Sequence, residues 1–122
     1  MRVLYAEDDE MVRYVMTEIM AEEGIDVTQA SDGMEAWHLL SEGTFDILLT
    51  DINMPRMDGI ELVNRMARRF PMIPVVVLSG RPPADVSRTF HPAGRSLRVM
   101  SKPIGALALI AALDSTLAAN GH

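Results

Sequence analysis

Short apolar runs alternate with longer amphipathic stretches along the whole chain, and that alternation leaves few folds open. The first run, residues 2–6, is followed by Met11, Val12, Val15, Met16, Ile19 and Met20 at helical spacing up to Gly24, a good helix stop. Ile25 to Gln29 reads as a second strand, and Ser31-Asp32-Gly33 as a turn into a helix carrying Ala36, Trp37, Leu39 and Leu40. Phe45 to Thr50 is a third strand; after an Asp58-Gly59 turn, Ile60, Leu62, Val63, Met66, Ala67 and Phe70 make a third helix, ended by Pro71. Pro74 leads into Val75-Val76-Val77-Leu78, a continuous apolar strand of the kind buried on both faces. Pro82-Pro83 and Pro92 bracket at most a short helix near residues 84–91, because proline suits a helix start and not its interior. A fifth strand, Leu97 to Met100, and a terminal helix from about Gly105 to Ala119 complete five βα units. Strict βα alternation predicts a parallel sheet with helices on both faces, joined by right-handed crossovers.

A chain of 122 residues with 48% hydrophobic content is expected to form a single domain over residues 1–122, burying about two thirds of its unfolded surface. The net charge of -6 argues against direct contact with nucleic acid or an anionic membrane, since both require a basic face. Ten arginines are dispersed; the tightest group, Arg65, Arg68 and Arg69, reads as the solvated side of a helix. Cysteine is absent, which excludes disulfides and thiolate chemistry and is compatible with a reducing cytosol. No signal peptide is visible and no apolar stretch approaches the roughly 18 residues of a membrane span. A soluble, cytoplasmic protein is expected.

The chemistry collects at the ends of three strands. Residues 3–6 end in Glu7-Asp8-Asp9-Glu10, Ile47 to Thr50 end in Asp51, and Leu97 to Met100 end in Ser101-Lys102-Pro103. In a parallel sheet these ends share one edge, where open α/β sheets place their ligands. Glu7, Asp8 and Asp51 brought together would repel, and protonation, the lysine or a hard divalent cation must neutralise them. Oxygen donors without His or Cys favour Mg²⁺, which takes one or two carboxylates and completes its shell with water and phosphate oxygens. A carboxylate such as Asp51 can attack phosphorus to form an acyl phosphate. Lys102, the only lysine, would offset charge on the phosphoryl oxygens, and Ser79, directly after the fourth strand, could donate its hydroxyl to one of them.

Five signatures in order make the sequence resemble the receiver domains of two-component response regulators: Glu7-Asp8; Ser31-Asp32-Gly33 with Glu35-Ala36; Asp51 with Met54-Pro55-Arg56-Met57-Asp58-Gly59; Ser79; and Lys102-Pro103. The resemblance covers the whole chain. It implies a flavodoxin-like, doubly wound α/β fold, a five-stranded parallel sheet of order 2-1-3-4-5 with five helices, the fourth short or irregular. It further implies Asp51 as phosphoacceptor, a sensor histidine kinase or histidine phosphotransfer protein as donor, and an unidentified downstream protein that binds the two states unequally. Mg²⁺ would be held by Glu7, Asp8, Asp51 and the backbone carbonyl of Asn53, with Glu7, longer than the commoner Asp, acting through water. Ser79 and Lys102 would contact the phosphoryl group, and the bond before Pro103 is expected to be cis.

Other residues read more plainly. Asp9 and Glu10 suit the first turn of a helix, Asp32 and Asp58 suit turns, and Arg81 lies at the rim of the site. His38, His91 and His122 are too scattered for a metal site, the ten methionines fill core gaps, and Trp37 is a core anchor. The sequence departs from its family at Val99, where many receivers carry an aromatic switch residue, and in the proline-rich segment after Ser79, which is expected to serve as a mobile output element. The terminal helix, with Leu107, Leu109, Ile110, Leu113 and Leu117 and Asp114 as its only charge, is expected to leave an apolar strip for a partner or a homodimer. Two rival readings were a Mg²⁺-dependent phosphatase using Asp51 as nucleophile and a degenerate receiver serving as scaffold. The first lacks a cap domain and has Asn53 where a haloacid dehalogenase-like pattern wants a second Asp; the second conflicts with retention of every phosphorylation residue.

Overall fold

The computed structural model describes residues 1–120; His122, assigned no role above, lies outside them. The elements are β1 (Arg2–Ala6), α1 (Glu10–Glu22), β2 (Asp26–Ala30), α2 (Gly33–Glu42), β3 (Ile47–Asp51), α3 (Gly59–Arg69), β4 (Val75–Ser79), α4 (Pro83–Val86), a 3-10 turn (Ser87–Thr89), β5 (Leu97–Ser101) and α5 (Ala106–Ala119). The five strands form one parallel sheet, as the alternation predicts, in the order β2-β1-β3-β4-β5 that the resemblance implies. Strand ends differ from expectation by one or two residues. Phe45 leaves the sheet to lie under the Arg2 guanidinium, 5.4 Å from its ring centre, while the polar residues Asp51, Ser79 and Ser101 enter the ladder.

Strand periodicity divides the core in two. Leu4, Ala6, Leu48, Val75 and Val77 pack with Ala36 and Leu40 of α2 and Leu62, Val63 and Met66 of α3. Val3, Tyr5, Ile47, Leu49, Val76 and Leu78 pack with Met16 and Met20 of α1 and Leu109, Ala112 and Leu113 of α5. Every residue of β3 and β4 is buried, which explains the apolar runs Ile47 to Leu49 and Val75 to Leu78. Trp37 joins the first core edge-on to Phe70, ring centres 5.6 Å apart, and the Arg69 guanidinium lies over both rings. Arg65 pairs with Glu61 one turn earlier at 2.7 Å, so this arginine group forms the outer face of α3.

Each of the first three helices starts on an aspartate. Asp9, Asp32 and Asp58 accept the backbone N–H of Val12, Glu35 and Glu61 at 3.0, 2.8 and 2.8 Å, satisfying donors that a helix start leaves open. Gly24 follows α1 at φ 77, a conformation that a side chain resists.

Two helices expose more, or less, than their apolar content suggests. On α1 only Met16 and Met20 are buried, whereas Met11, Val12, Tyr14 and Val15 face outward. At about 100° per residue, Met11 and Val15 lie about 100° or more around the helix from Met16 and Met20, so a single core face cannot take them all. On α5 the leucines at 109 and 113 are buried and Ile110 and Leu117 half-buried, and the fully exposed apolar side chains are Leu107 and small alanines. The segment after β4 is held by burial of Val86 and Phe90, and by Asn64, whose side chain donates to the Thr89 carbonyl at 2.9 Å and accepts from the His91 N–H at 2.7 Å. Val99 packs, partly buried, against the first core.

Gly59 stands where the backbone of the β3–α3 loop folds back on the strand. Its N–H donates to the Ile52 carbonyl at 2.8 Å, and a Cβ there would lie 2.1 Å from the Asp51 carbonyl oxygen. Gly105, by contrast, has open space around it. Gly59→Ala is expected to destabilise the domain by about 2–3 kcal/mol in chemical denaturation, with Gly105→Ala close to neutral; equal stability of the two variants would contradict this packing.

Candidate functional site

The site is assembled by strand pairing. β1 and β3 run side by side in register from Val3↔Ile47 to Ala6↔Thr50, so Glu7 and Asp51 emerge as neighbours at the same edge. Glu7 is anchored on its backbone, its N–H donating to the Ala30 carbonyl at 3.0 Å and its carbonyl accepting from Arg13 Nη1 at 2.7 Å. Strand β5 brings in Lys102, whose N–H donates to the Ser79 carbonyl at 2.8 Å. The Lys102–Pro103 bond is cis, as expected.

Carboxylate oxygens of Glu7, Asp8 and Asp51 lie within 4.8 Å of one another, with Glu7 and Asp51 buried and Asp8 exposed. Two buried carboxylates at such a distance repel by roughly 3–4 kcal/mol at an effective dielectric constant of about 20. Lys102 Nζ answers this repulsion, 2.6 Å from Asp51 Oδ2 and 3.8 Å from Glu7 Oε1. The other Asp51 oxygen, Oδ1, accepts from the Ile52 N–H at 2.8 Å. Burial pushes the Glu7 carboxyl up to about 7, with the Asp51 charge adding to the effect and the Asp9 N–H and Lys102 opposing it. One ammonium facing three carboxylates leaves an excess of negative charge among oxygen-only donors, one of them open to solvent. This donor set suits a hard divalent cation such as Mg²⁺.

Ser79 is buried at the end of β4, and its Oγ accepts from the Arg81 N–H at 3.0 Å, leaving the hydroxyl proton free to donate elsewhere. With Asn53, Gly80 and Arg81 it lines a depression of about 80 Å³. A larger cleft of about 390 Å³ opens on the other core's side, lined by Glu7, Lys102 and Pro103 together with apolar Val12, Met16, Leu78 and Ile104. Distances therefore unite Glu7, Asp8, Asp51 and Lys102, whereas Ser79 and Asn53 meet around the adjacent depression.

One connection was not read from the sequence. Arg56, in the loop after Asp51, reaches the turn before α2 and binds Asp32 Oδ2 through Nε at 2.9 Å and Nη2 at 2.7 Å. Burial works against the Asp32 charge, but the Glu35 N–H and Arg56 outweigh it and hold that carboxyl below its usual range. Opposite charges at positions 32 and 56 were visible, but nothing local to either segment marks them as partners.

The raised Glu7 pKa carries a definite sign. The folded protein holds this proton more tightly than the unfolded chain, so stability is full below about 4.5 and falls as pH rises to about 7. In metal-free protein, the denaturation free energy of wild type minus that of Glu7→Gln should therefore decrease between pH 5 and 8, by roughly 1–3 kcal/mol. A difference independent of pH would show that Glu7 is not buried as a strained carboxylate.

Comparison with known proteins agrees with this geometry. Residues 3–114 match the family model described as response regulator receiver domain. The chain is 34% identical over 118 residues to the response regulator receiver protein CpdR of Brucella abortus, covering 97% of this chain and 98% of that one. It is 33% identical over 92 residues to the DNA-binding transcriptional regulator NtrC of Escherichia coli, covering 75% of this chain and spanning only 20% of NtrC. Among solved structures, the receiver domain of Francisella response regulator 1452 superposes with a TM-score of 0.84 at 26% identity, covering 97% of each chain. The parallel sheet, the acidic edge and these matches together make the chain a member of the response regulator receiver domain family.

Proposed function

We propose that residues 1–122 form one cytoplasmic receiver domain in which Asp51 takes a phosphoryl group from a phosphohistidine and thereby switches partner binding. The donor is a sensor histidine kinase or a histidine phosphotransfer protein. The observation that carries this reading is Asp51 itself: a buried carboxylate at the exit of the central strand, grouped with Glu7 and Asp8 and held at 2.6 Å by the chain's only lysine. No helix among the described residues is long and apolar enough to cross a membrane, in keeping with a soluble module.

In the transfer, an Asp51 carboxylate oxygen forms a bond to phosphorus while the P–N bond to the donor imidazole breaks, its electron pair returning to nitrogen. Lys102 moves its contact from Asp51 to an oxygen of the arriving phosphoryl group. Ser79, whose Oγ already accepts from the Arg81 N–H, turns its proton toward a second such oxygen. Mg²⁺, held by Glu7, Asp8, Asp51 and the Asn53 carbonyl, supplies neutralising charge when bound. The product adds about -1.5 to -2 charges at the edge of the sheet. Drawing Ser79 and Lys102 toward that charge favours one packing of β4, β5 and the loop between them, which is the output. The reaction is stoichiometric rather than a turnover, since the phosphoryl group stays on the protein until water removes it.

The exposed side of α1 supports the choice of a protein donor. Met11, Tyr14 and Val15 are 70%, 62% and 47% exposed, and neighbouring Val12 lines the cleft that reaches Glu7 and Lys102. Large apolar side chains left in water beside a reactive centre suit the docking of another protein. The outward strip of α5, reduced to Leu107 and alanines, offers a homodimer less.

Acetyl phosphate with Mg²⁺ should install about one acid-stable, base-labile phosphate per chain, measured by intact-mass spectrometry, and Asp51→Asn should abolish it. Rapid release of phosphate from many equivalents of a phosphomonoester, with no phosphorylated chain accumulating, would instead favour a phosphatase. Met11→Lys with Val15→Glu is expected to slow transfer from a phosphorylated histidine phosphotransfer protein by roughly tenfold or more, while leaving the acetyl phosphate rate within about twofold. Equal slowing of both reactions would remove α1 as the docking face.

A further inference from the structure

We infer that Asp32 and Arg56 are positioning residues for the phosphorylation site: their ion pair holds the β3–α3 loop in the conformation that aims the Asn53 carbonyl at the cation. This rests on the reading of Glu7, Asp8, Asp51 and Asn53 as a Mg²⁺ site.

The backbone supplies the first reason. Arg56 has φ 66, and no other non-glycine residue among those described has a positive φ. An arginine in the left-handed region is disfavoured because its Cβ crowds the backbone carbonyl, and its long side chain offers none of the local hydrogen bonding by which Asn or Asp tolerates that region. The surroundings must therefore hold it there. Its guanidinium is bound through two nitrogens to one oxygen of Asp32.

Asp32 is a fixed anchor. It is 6% exposed, and its Oδ1 is engaged in capping α2, so only Oδ2 remains for Arg56. Arg56 is the mobile member, with 61% of its side chain exposed. A wholly exposed pair would contribute little, but here one charge is immobilised by the helix it caps. The pair sets geometry more than stability.

The same two segments touch beside the ion pair. The Gly33 N–H donates to the Met57 carbonyl at 3.0 Å, and a Cβ on Gly33 would lie 2.1 Å from that oxygen. Met54 and Met57 are buried in the first core. Asn53 is next to Met54 and three residues from Arg56, so its carbonyl belongs to the segment that this docking holds. The clamp also reaches the acidic cluster from behind: Ala30, two residues before Asp32, accepts the Glu7 N–H. Asp32 thus ties the strand edge behind Glu7 to the loop that follows Asp51.

The test compares three single variants with the parent. Asp32→Asn keeps a good helix cap while losing the charge. Arg56→Gly removes the guanidinium and the steric cost of a positive φ together. Arg56→Lys keeps the charge with a single nitrogen. Mg²⁺ affinity is measured by calorimetry, and amide exchange of residues 53–58 is followed by NMR in metal-free protein. Asp32→Asn and Arg56→Gly are each expected to weaken Mg²⁺ binding roughly tenfold and to speed exchange in the loop, with the double variant no worse than either single one and Arg56→Lys recovering part of the affinity. Arg56→Gly binding Mg²⁺ as tightly as the parent, with unchanged exchange, would overturn the clamp. A parent that binds no Mg²⁺ would overturn the metal reading instead, and loop exchange would still decide whether the pair fixes the loop.

Discussion

Three carboxylates brought to the edge of a buried sheet repel one another, and the rest of the structure is arranged around that repulsion. Glu7 and Asp51 cannot move apart, because β1 and β3 are hydrogen-bonded neighbours whose residues are buried in two cores. Protonation offers one relief, consistent with a Glu7 carboxyl pushed up to about 7. Lys102 offers another through its 2.6 Å contact with Asp51. Neither removes the excess charge at neutral pH. A site in this condition gains from a cation, and the cation in turn favours a phosphoryl group.

The rigidity of the sheet makes a local charge transmissible. β3, β4 and β5 are joined residue by residue, and Lys102 is tied to β4 through the Ser79 carbonyl. Under the proposed function, a phosphoryl group that draws Ser79 and Lys102 inward would therefore act on two adjacent strand ends. Beyond them lies a connection with four residues of α-helix and one 3-10 turn, fastened by Val86, Phe90 and Asn64. Val99 carries no aromatic ring to rotate, so under the proposed function the change in packing would fall on that connection.

Much of the site was legible because its residues end secondary-structure elements. Asp51 and Ser79 end apolar strands and Lys102 directly follows one, and the parallel arrangement then brings those ends to one edge. The aspartate caps were legible for a similar reason, since a cap acts on a backbone N–H three residues away. The buried face of α1 was not legible in this way. Met11 and Val15 satisfy helical spacing as well as Met16 and Met20 do, and spacing does not say which side of a helix meets the sheet. On α5, composition suggested an apolar strip; Leu109 and Leu113 turn inward, Leu107 stays in water, and Ile110 and Leu117 are half-buried.

From the sequence alone follow the parallel α/β sheet, the convergence of Glu7, Asp8, Asp51 and Lys102, and membership of a phosphoaccepting family, because each depends on local periodicity or on residues at strand ends. Tertiary structure decided which helix faces were left in water, where each strand stopped, and that Arg56 would take a left-handed backbone to reach Asp32. Those outcomes depend on how segments distant in sequence approach one another: the arginine's conformation is unfavourable by itself and persists because a buried, capping carboxylate stands within its reach.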